Sequence, residues 1–566
     1  MVRKEISKMD GEGKESSAYG YRPKLVWETG VHKYLSQAYG SVQFDAICEA
    51  LTRPCIDSTL RVNTLQASTQ EVMEQLCKHL GADRQCSSSS PKFDVVDGAE
   101  GSVHLPVSDS GEGGCPKPEK APGFSCSEHS LLKDVIMVRG RGPCEVDCGV
   151  EPDKPVKEVV VSRKCAEAVL RGANVFVPGV LACSLHVEKG DTVAVTVAVE
   201  RPDENGGWSV GITRGTTLES EHALSQMGAS SRSDHFIGVG RMSMSRTALF
   251  RESKGVAVEM SRRIFDLPPF HSVLAGRIFL QNLPSIVAVR VLDPKSGERI
   301  LDMCAAPGGK TTAIGILMKN QGEIVALDRS HNKVLDIKRL ADEMKLTCIQ
   351  AYKLDATKCV DKELGMVMSA DAPSQSEYTS SSNPVSTSSL SLYEVKAAAR
   401  KEARKMKNRL ASESVATQRI KGLQRQSFDR VLLDAPCSAL GLRPRLFAGE
   451  ETLESLRQHS CYQRKLFDQA VQLVRPGGIL VYSTCTMNPG ENEGVVRYAL
   501  DTYDDLSLLP QEPRIGGPGL VGGRDVFDGM SCKEWLREGE EHLVQRFSPS
   551  ESYDTIGFFI AKFAVA

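Results

Sequence analysis

Two cysteines lie in short polar motifs that each follow an apolar run of residues. Cys437 is part of DAPCSALG, and Cys485 is part of YSTCT. If both runs are strands of one parallel sheet, both thiols fall at its carboxyl edge, where a nucleophile has the access that it needs. Neither motif contains a histidine, so a protease-like pair of cysteine and histidine is disfavoured. A single cysteine is more often a small buried hydrophobe, and it is the shared edge that favours chemistry here.

The loop CAAPGGKTT, which begins at Cys304, follows a predicted strand and opens a predicted helix. It matches a phosphate-binding loop except that Cys304 stands where that pattern has its first glycine. Asp328 ends the next predicted strand, at the distance where nucleotide-binding folds place the acid that accepts ribose hydroxyls. Asp355 and Asp434 end two further predicted strands. A phosphate loop and a purely structural turn remain alternatives, but several acids at one sheet edge favour S-adenosylmethionine, with its ribose on Asp328 and its adenine beside Asp355.

A thiol next to a methyl donor has a specific use. Carbon 5 of cytosine is a poor nucleophile until a thiolate adds to carbon 6, and this covalent step divides one difficult reaction into easier ones. The base must be held and its ring nitrogen protonated or hydrogen-bonded, for which Asp434 is well placed. A second cysteine could assist when the product is released.

The predicted secondary structure also places these motifs at the carboxyl edge of one parallel sheet. From about residue 250, predicted strands alternate with predicted helices, which indicates an α/β fold with a doubly wound parallel sheet. The segment from 131 is instead rich in predicted strands, such as TVAVTVA after a Gly-Asp turn. Two stretches are rich in Ser, Gly and Pro, and we interpret 86–130 as a linker and 362–427 as a Ser-rich and then basic insertion.

Composition sets wider limits. The chain has 566 residues, which favours two to four domains, and its net charge of −2 means that any nucleic-acid surface must be local. The 17 cysteines include no CxxC pair, so we expect no zinc site and no metal. We also expect no signal peptide and no membrane span, which together favour reduced thiols in the cytosol or nucleus.

The motifs CAAPGGKT, DAPCS and YSTCT, in this order, resemble those of the Nop/Sun family of RNA cytosine-5 methyltransferases. The resemblance implies a Rossmann-like, S-adenosylmethionine-dependent methyltransferase domain. It implies that Cys485 attacks the base, that Cys437 acts in product release, and that Lys310 and Asp434 belong to the catalytic group. The cofactor contacts that it implies are Cys304, Ala305, Ala306, Pro307, Gly308, Gly309, Lys310, Asp328, Lys333, Asp355 and Asp434.

Four further stretches, LRVNTL, FLQNLPS, LLPQEPRIGG and TIGFFIAKF, resemble one branch of that family. This branch carries an inserted PUA RNA-binding domain and methylates the acceptor end of certain tRNAs. AVLRGANVFVPGV followed by KGDTVAV resembles the PUA domain itself. The implied organisation is a disordered tail at 1–20, the first part of a small RRM-like RNA-binding subdomain at 21–85, the linker at 86–130, the PUA domain at 131–230, and the catalytic domain at 231–566.

The partner implied by this branch is RNA, and tRNA first, with its 3′ end held by the PUA domain and one cytosine flipped into the catalytic pocket. Another RNA, a non-catalytic RNA-binding factor and an NTPase are the alternatives. We expect a monomer in the cytoplasm. The alternative is that the protein also enters the nucleus, with the basic stretch at 401–409 as its localisation signal. The residues expected to contact phosphates are Lys154, Lys157, Arg163, Lys164 and Arg171.

Overall fold

A computed structural model describes most of the chain outside its Ser-rich and Gly-rich stretches. The tail at 1–19, most of the linker, most of the insertion and Lys154 lie outside the described residues, so the predictions that fall on them are not addressed. The described strands form three large sheets and one two-stranded ribbon. The described residues are 20–81, 83–84, 124–147, 156–203, 206–218, 235–270, 272–361, 420–523, 534–551 and 553–566.

The N-terminal subdomain packs three helices against a five-stranded sheet, and β1 pairs on both sides with antiparallel neighbours. Three of its strands lie beyond residue 124, and two of them directly follow the linker, so the linker ends earlier than 130 and the predicted PUA boundary at 131 is wrong. The apolar run VIMVR belongs to this sheet instead, with Ile136 opposite Leu60. Its elements are α1 (Thr29–Tyr39), α2 (Ser41–Leu51), β1 (Asp57–Val62), α3 (Thr69–Leu80), β2 (Asp83–Arg84), β3 (Ser125–Glu128), β4 (Val135–Arg139) and β14 (Ile278–Leu280).

The inserted β-rich domain is built on a seven-stranded sheet in the order β11-β7-β5-β8-β12-β13-β6. Because β12 pairs with β8, the domain extends to Arg263, and the predicted boundary at 230/231 is wrong. The segment GWSVGITRG, from 207 to 215, contributes only the two residues of β10 to the ribbon. The elements are β5 (Glu158–Ser162), α4 (Arg163–Leu170), β6 (Val175–Phe176), β7 (Val180–Cys183), β8 (Thr192–Ala198), β9 (Arg201–Pro202), β10 (Trp208–Ser209), β11 (Thr216–Thr217), β12 (Phe236–Met242), α5 (Arg246–Arg251) and β13 (Val256–Arg263).

The catalytic domain has an eight-stranded sheet in the order β17-β16-β15-β18-β19-β22-β20, with β21 also paired to β22. The first five strands are parallel, as predicted, whereas β22 runs antiparallel to β19. The elements are α6 (Leu283–Leu292), β15 (Arg299–Asp302), α7 (Gly309–Leu317), β16 (Glu323–Asp328), α8 (His331–Glu343), β17 (Ile349–Lys353), β18 (Phe428–Asp434), α9 (Leu453–Leu473), β19 (Val474–Thr484), α10 (Glu493–Thr502), β20 (Leu506–Leu508), β21 (Val544–Phe547) and β22 (Phe558–Val565).

Helices cover both faces of this sheet, and large apolar clusters lie on each side of it. Its central strands therefore consist of nearly continuous buried residues, as expected for a parallel sheet. The parallel register sets Asp434 beside Ser483, so β18 and β19 end at the same level. The loops that carry both cysteine motifs consequently meet at one edge.

The insertion leaves and re-enters the domain at one place. Val360 and Leu423 form a parallel β-bridge, and the amide of Leu423 donates to the carbonyl of Cys359 at 2.7 Å. The chain therefore passes from β17 to β18 through this closed base. Among the described helices, none is long and apolar enough to cross a bilayer.

Candidate active site

The loop at Cys304 turns sharply between β15 and α7. Gly308 has φ = 109°, in the left-handed region that favours glycine. A Cβ on Gly309 would lie 2.8 Å from the ring of Phe279, so this position has no room for a side chain. The hydroxyl of Thr311 donates to Asp302 at 2.7 Å and secures the loop from below. The Pro-Gly-Gly sequence therefore allows the backbone to approach β14 closely.

A cavity of about 400 Å³ lies on one side of this loop, within the usual range for small-molecule sites. Asp328 lies at its edge, where one carboxylate oxygen accepts from the amide of Ser330 at 2.8 Å and the other is 3.8 Å from the ammonium of Lys333. Asp355 also lines it and caps a 3₁₀ turn, and hydrogen bonds from Thr357 hold the pKa of Asp355 below its usual range. Other lining residues are Cys304, Arg329, Pro436, His459 and Tyr462.

These residues fit S-adenosylmethionine. The two carboxylates retain acceptor capacity toward the cavity for ribose and adenine groups, because each accepts only part of what a carboxylate can accept. Tyr462 and His459 offer flat side chains for the adenine ring. Lys333 differs from the other predicted contacts because its side chain is largely exposed. It lines the cavity only at its edge, beside Asp328. Among the described residues, no group of His, Cys, Asp and Glu side chains is arranged to hold a metal ion.

A second cavity of about 410 Å³ shares Cys304 with the first and lies across the loop from it. Lys310 and Asp434 line its floor. Its walls come from the N-terminal subdomain, through Asp57, and from the inserted domain, through Arg171. Residues of the N-terminal subdomain, the inserted domain and the catalytic domain therefore surround one opening, next to the first cavity.

Lys310 and Asp434 form an ion pair of 2.6 Å between the ammonium and one carboxylate oxygen. Ser483 donates to the other oxygen of Asp434 at 2.7 Å. The ammonium also lies 5.3 Å from the centre of the Phe558 ring. Both side chains are mostly buried, so the pair is fixed in position and screened little by salt.

The two predicted cysteines are brought together. Their sulfur atoms lie 3.4 Å apart, within hydrogen-bonding distance for sulfur, and both thiols are partly exposed. The hydrogen bond from Cys437 lowers the pKa of Cys485, with a further contribution from Lys310. The same hydrogen bond and burial raise the pKa of Cys437 well above its usual value. Both directions favour Cys437 as the donor of the hydrogen bond between the two sulfurs and Cys485 as its acceptor.

Two buried carboxyls of this region escaped the sequence analysis. Burial raises the pKa of Asp302, which lies beneath the loop, to about 7. Glu491 is fully buried beside Cys437, and burial raises its pKa as well. Glu491 lies in the polar run NPGENEG after Cys485, which by its composition predicts an ordinary exposed loop. In the structure this run is buried from Asn488 through Gly494.

The predicted phosphate contacts are only partly available. Arg163 is buried in ion pairs with Glu200 and Glu450, so its prediction as an RNA contact is wrong. Lys157 is paired with Asp191 at 2.5 Å. Lys164 is exposed, and Arg171 reaches the wall of the second cavity, which Lys310 and Asp434 line. Ser162 ends β5 immediately before the helix, which turns Arg163 inward and Lys164 outward.

The sheet order, the cofactor loop and the inserted β-domain define a Rossmann-like, S-adenosylmethionine-dependent methyltransferase joined to a PUA domain. A family model described as 16S rRNA methyltransferase RsmB/F matches residues 289–383 and 393–564, and a PUA domain model matches residues 157–202. The chain belongs to this RsmB/F (Nop/Sun) family of RNA cytosine-C5 methyltransferases. The predicted family, fold and cofactor are thereby confirmed.

Its relatives differ in the RNA that their names give. The "rRNA (cytosine-C(5))-methyltransferase NOP2C" of Arabidopsis thaliana is 49% identical, over 97% of this chain and 92% of that protein. The human "tRNA (cytosine(72)-C(5))-methyltransferase NSUN6" is 32% identical, over 96% of this chain and 98% of that protein. The crystal structure of NSun6 from Pyrococcus horikoshii with SFG, an S-adenosylmethionine analogue, is 25% identical with a TM-score of 0.62, over 95% of this chain and 98% of that one.

Proposed function

We propose that this methyltransferase forms 5-methylcytosine near the acceptor end of tRNA. The observation that carries the proposal is the wall of the catalytic cavity, to which the PUA-domain residue Arg171 contributes together with Lys310 and Asp434. An RNA end bound on the PUA domain would reach the reacting base over a distance of very few nucleotides. The relatives named for cytosine 72 of tRNA align over almost their whole length and support the same substrate.

Ribosomal RNA is the second candidate, because the relative with 49% identity is named for rRNA. Total tRNA, tRNA lacking its terminal CCA, and rRNA fragments are incubated with the full chain and radiolabelled S-adenosylmethionine, and bisulfite sequencing locates the methyl group. We expect incorporation into intact tRNA near its acceptor end and a large loss when CCA is removed. Efficient methylation of rRNA, with no dependence on the tRNA 3′ end, would refute the tRNA substrate in favour of rRNA.

Cys485 is the nucleophile in this proposal. Its sulfur forms a bond to carbon 6 of the cytosine, and the electron pair of the C5–C6 double bond moves toward carbon 5. S-adenosylmethionine supplies the electrophilic methyl group that carbon 5 then takes. The lowered pKa of Cys485 favours the attack, because the thiolate is the reactive form. The loop from Cys304 to Lys310 would hold the cofactor, with Asp328 and Lys333 at its ribose and Asp355 at its adenine.

Lys310 and Asp434 hold the base. The Asp434 carboxylate is an acceptor, which suits the amino group of cytosine, and the Lys310 ammonium is a donor, which suits its unprotonated ring nitrogen. Uracil offers the opposite pattern at both positions, so the pair discriminates between the two bases. The ammonium also stabilises the negative charge that develops on the ring when the sulfur adds.

Cys437 assists release. The proton on carbon 5 passes to water, its electron pair restores the C5–C6 double bond, and the C6–S pair returns to the Cys485 sulfur. The S–H of Cys437, 3.4 Å away, donates a hydrogen bond to that departing thiolate. In Cys437→Ala the enzyme–RNA adduct should accumulate, whereas Cys485→Ala should form none. Adduct formation by Cys485→Ala would reverse the two assignments.

We also propose that the protein acts as a monomer in the cytoplasm, with nuclear entry through the basic stretch at 401–409. Sedimentation of the full chain with and without tRNA tests the first statement, and a second copy in the RNA complex would contradict it. Imaging of a tagged chain with and without 401–409 tests the second. Residues 401–409 lie outside the described residues, so this proposal rests on composition.

A further inference from the structure

Glu491 lies at the centre of a buried polar cluster that the chemistry above does not use. Its side chain is completely buried, and no basic side chain forms an ion pair with it among the described residues. Four donors surround the carboxylate instead. They are the amide and hydroxyl of Ser438 at 3.0 and 2.5 Å, the side-chain amide of Gln463 at 2.8 Å, and that of Asn488 at 3.0 Å.

These contacts hold the residues on both sides of Cys437. Glu491 binds Ser438 directly, through backbone and side chain. Gln463, which donates to Glu491, also donates to the carbonyl of Pro436 at 3.0 Å. The backbone that carries the Cys437 thiol is therefore held before and after the cysteine.

The same cluster connects this loop to the loop of the second cysteine. Glu491 follows Cys485 by six residues in the chain. The hydroxyl of Ser438 lies 2.8 Å from the hydroxyl of Thr486, which directly follows Cys485. The separation of the two sulfurs is thus determined by groups that meet at Ser438.

We propose that Glu491 is a positioning residue that keeps the Cys437 thiol within hydrogen-bonding distance of Cys485, so that the covalent RNA adduct can be resolved. The inference rests on the role in release proposed above for Cys437. Glu491 acts through Ser438 and Gln463 and does not touch the base. Its negative charge, held by donors alone, also favours the protonated form of Cys437, which is the form that donates to the departing thiolate.

Glu491→Gln tests this with almost no change in volume. Each carboxylate oxygen accepts from two donors, so an amide nitrogen placed at either position opposes at least one of them. We expect covalent adduct to accumulate on RNA in the presence of S-adenosylmethionine, and multiple turnover to fall by at least about tenfold, since small misplacements of reacting groups have effects of this order. The first methyl transfer, measured under single-turnover conditions, should fall only as far as the lost hydrogen bond raises the pKa of Cys485, and it should recover at higher pH, whereas the trapping of adduct should persist.

Glu493→Gln is the matched control. Glu493 lies on the same segment and is equally buried, but it pairs with Arg546 and does not contact the Cys437 loop. This variant should lose stability without trapping adduct. Equal adduct levels in the two variants, or a loss of Glu491→Gln activity confined to the first methyl transfer, would overturn the inference.

Ser438→Ala keeps the inference testable if Glu491→Gln does not fold. It removes one hydroxyl that contacts both Glu491 and Thr486 and leaves the backbone contact intact. It should trap adduct to a smaller extent, and no trapping would count against Glu491. Cys437→Ala distinguishes the failure of this inference from the failure of the proposed release step. If Cys437→Ala traps adduct and the Glu491 and Ser438 variants do not, only the positioning role of Glu491 is wrong. If Cys437→Ala traps no adduct, the proposed release step is wrong.

Discussion

Replacing Cys437 by alanine removes the S–H group that lies 3.4 Å from the sulfur of Cys485. That hydrogen bond is the main cause of the lowered pKa of Cys485, and a hydrogen bond to a charged group contributes about 1.5–3 kcal/mol. Since about 1.4 kcal/mol corresponds to a factor of ten in an equilibrium constant, the fraction of Cys485 present as thiolate at a pH below its pKa should fall by roughly ten- to a hundredfold in the free variant. The thiolate of Cys485 should therefore appear at higher pH than in the wild-type protein.

The assay is the rate of alkylation of Cys485 by iodoacetamide as a function of pH, followed on its own peptide by mass spectrometry. Cys437→Ser restores a donor and should recover part of the shift. Cys304→Ala removes another thiol of the site that does not influence Cys485, and it should leave the profile unchanged. An unchanged or lower pKa of Cys485 in Cys437→Ala would refute the assignment of the proton to Cys437.

Three further outcomes follow from the geometry of the loop and of the inserted domain. Gly309→Ala should lower the free energy of unfolding by about 1–3 kcal/mol, because its Cβ meets the Phe279 ring at 2.8 Å, and Phe279→Ala should relieve part of the loss in urea titrations. Asp302 has its pKa raised to about 7, so the wild type should lose stability as pH rises from 4 to 7, by up to roughly 4 kcal/mol more than Asp302→Asn does; parallel stability–pH curves would contradict this. Arg163→Ala should destabilise the protein by about 1–3 kcal/mol because it removes a buried side chain and leaves the partly buried carboxylate of Glu200 without its ion pair, whereas Lys164→Ala should keep the melting temperature and weaken tRNA binding; the reverse result would restore Arg163 as an RNA contact.

Much of the catalytic domain was predictable because its signals are local. Apolar runs that end in Asp328, Asp355 and Asp434 indicated parallel strands, and the Pro-Gly-Gly turn indicated the approach of a loop to a ligand. Each of these features depends on residues within one strand and the turn that follows it. The meeting of Cys437 and Cys485 then followed from the rule that parallel strands end at one edge.

The domain boundaries were not predictable by the same means. β4 and β12 are short runs of mostly buried residues, and such a run does not say which sheet a strand joins. The partner of β4 is β1, which lies before the linker, and the partner of β12 is β8. Long-range pairing of this kind is a tertiary property, so composition placed both boundaries at the wrong strands. The burial of Arg163 has the same origin, because Glu450 comes from the catalytic domain.

Arg61 shows that the N-terminal subdomain is a structural part of the catalytic site. It lies on β1, is almost fully buried, and donates to the carbonyl of Gly309 at 3.3 Å and to the hydroxyl of Thr312 at 2.9 Å. Its remaining bond runs to Gln281 at 3.0 Å, on the wall of the catalytic cavity. Burial lowers the pKa of Arg61 to about 10, so its positive charge is retained at neutral pH without a carboxylate bonded to it among the described residues. A buried cation bonded to the first turn of α7 fixes the loop that carries Lys310, and the strand that supplies it lies about 250 residues before that loop in the chain. The loop that carries Lys310 is therefore held in place by the folded N-terminal sheet. RNA bound on that sheet would contact the same element that supports the residues around the reacting base.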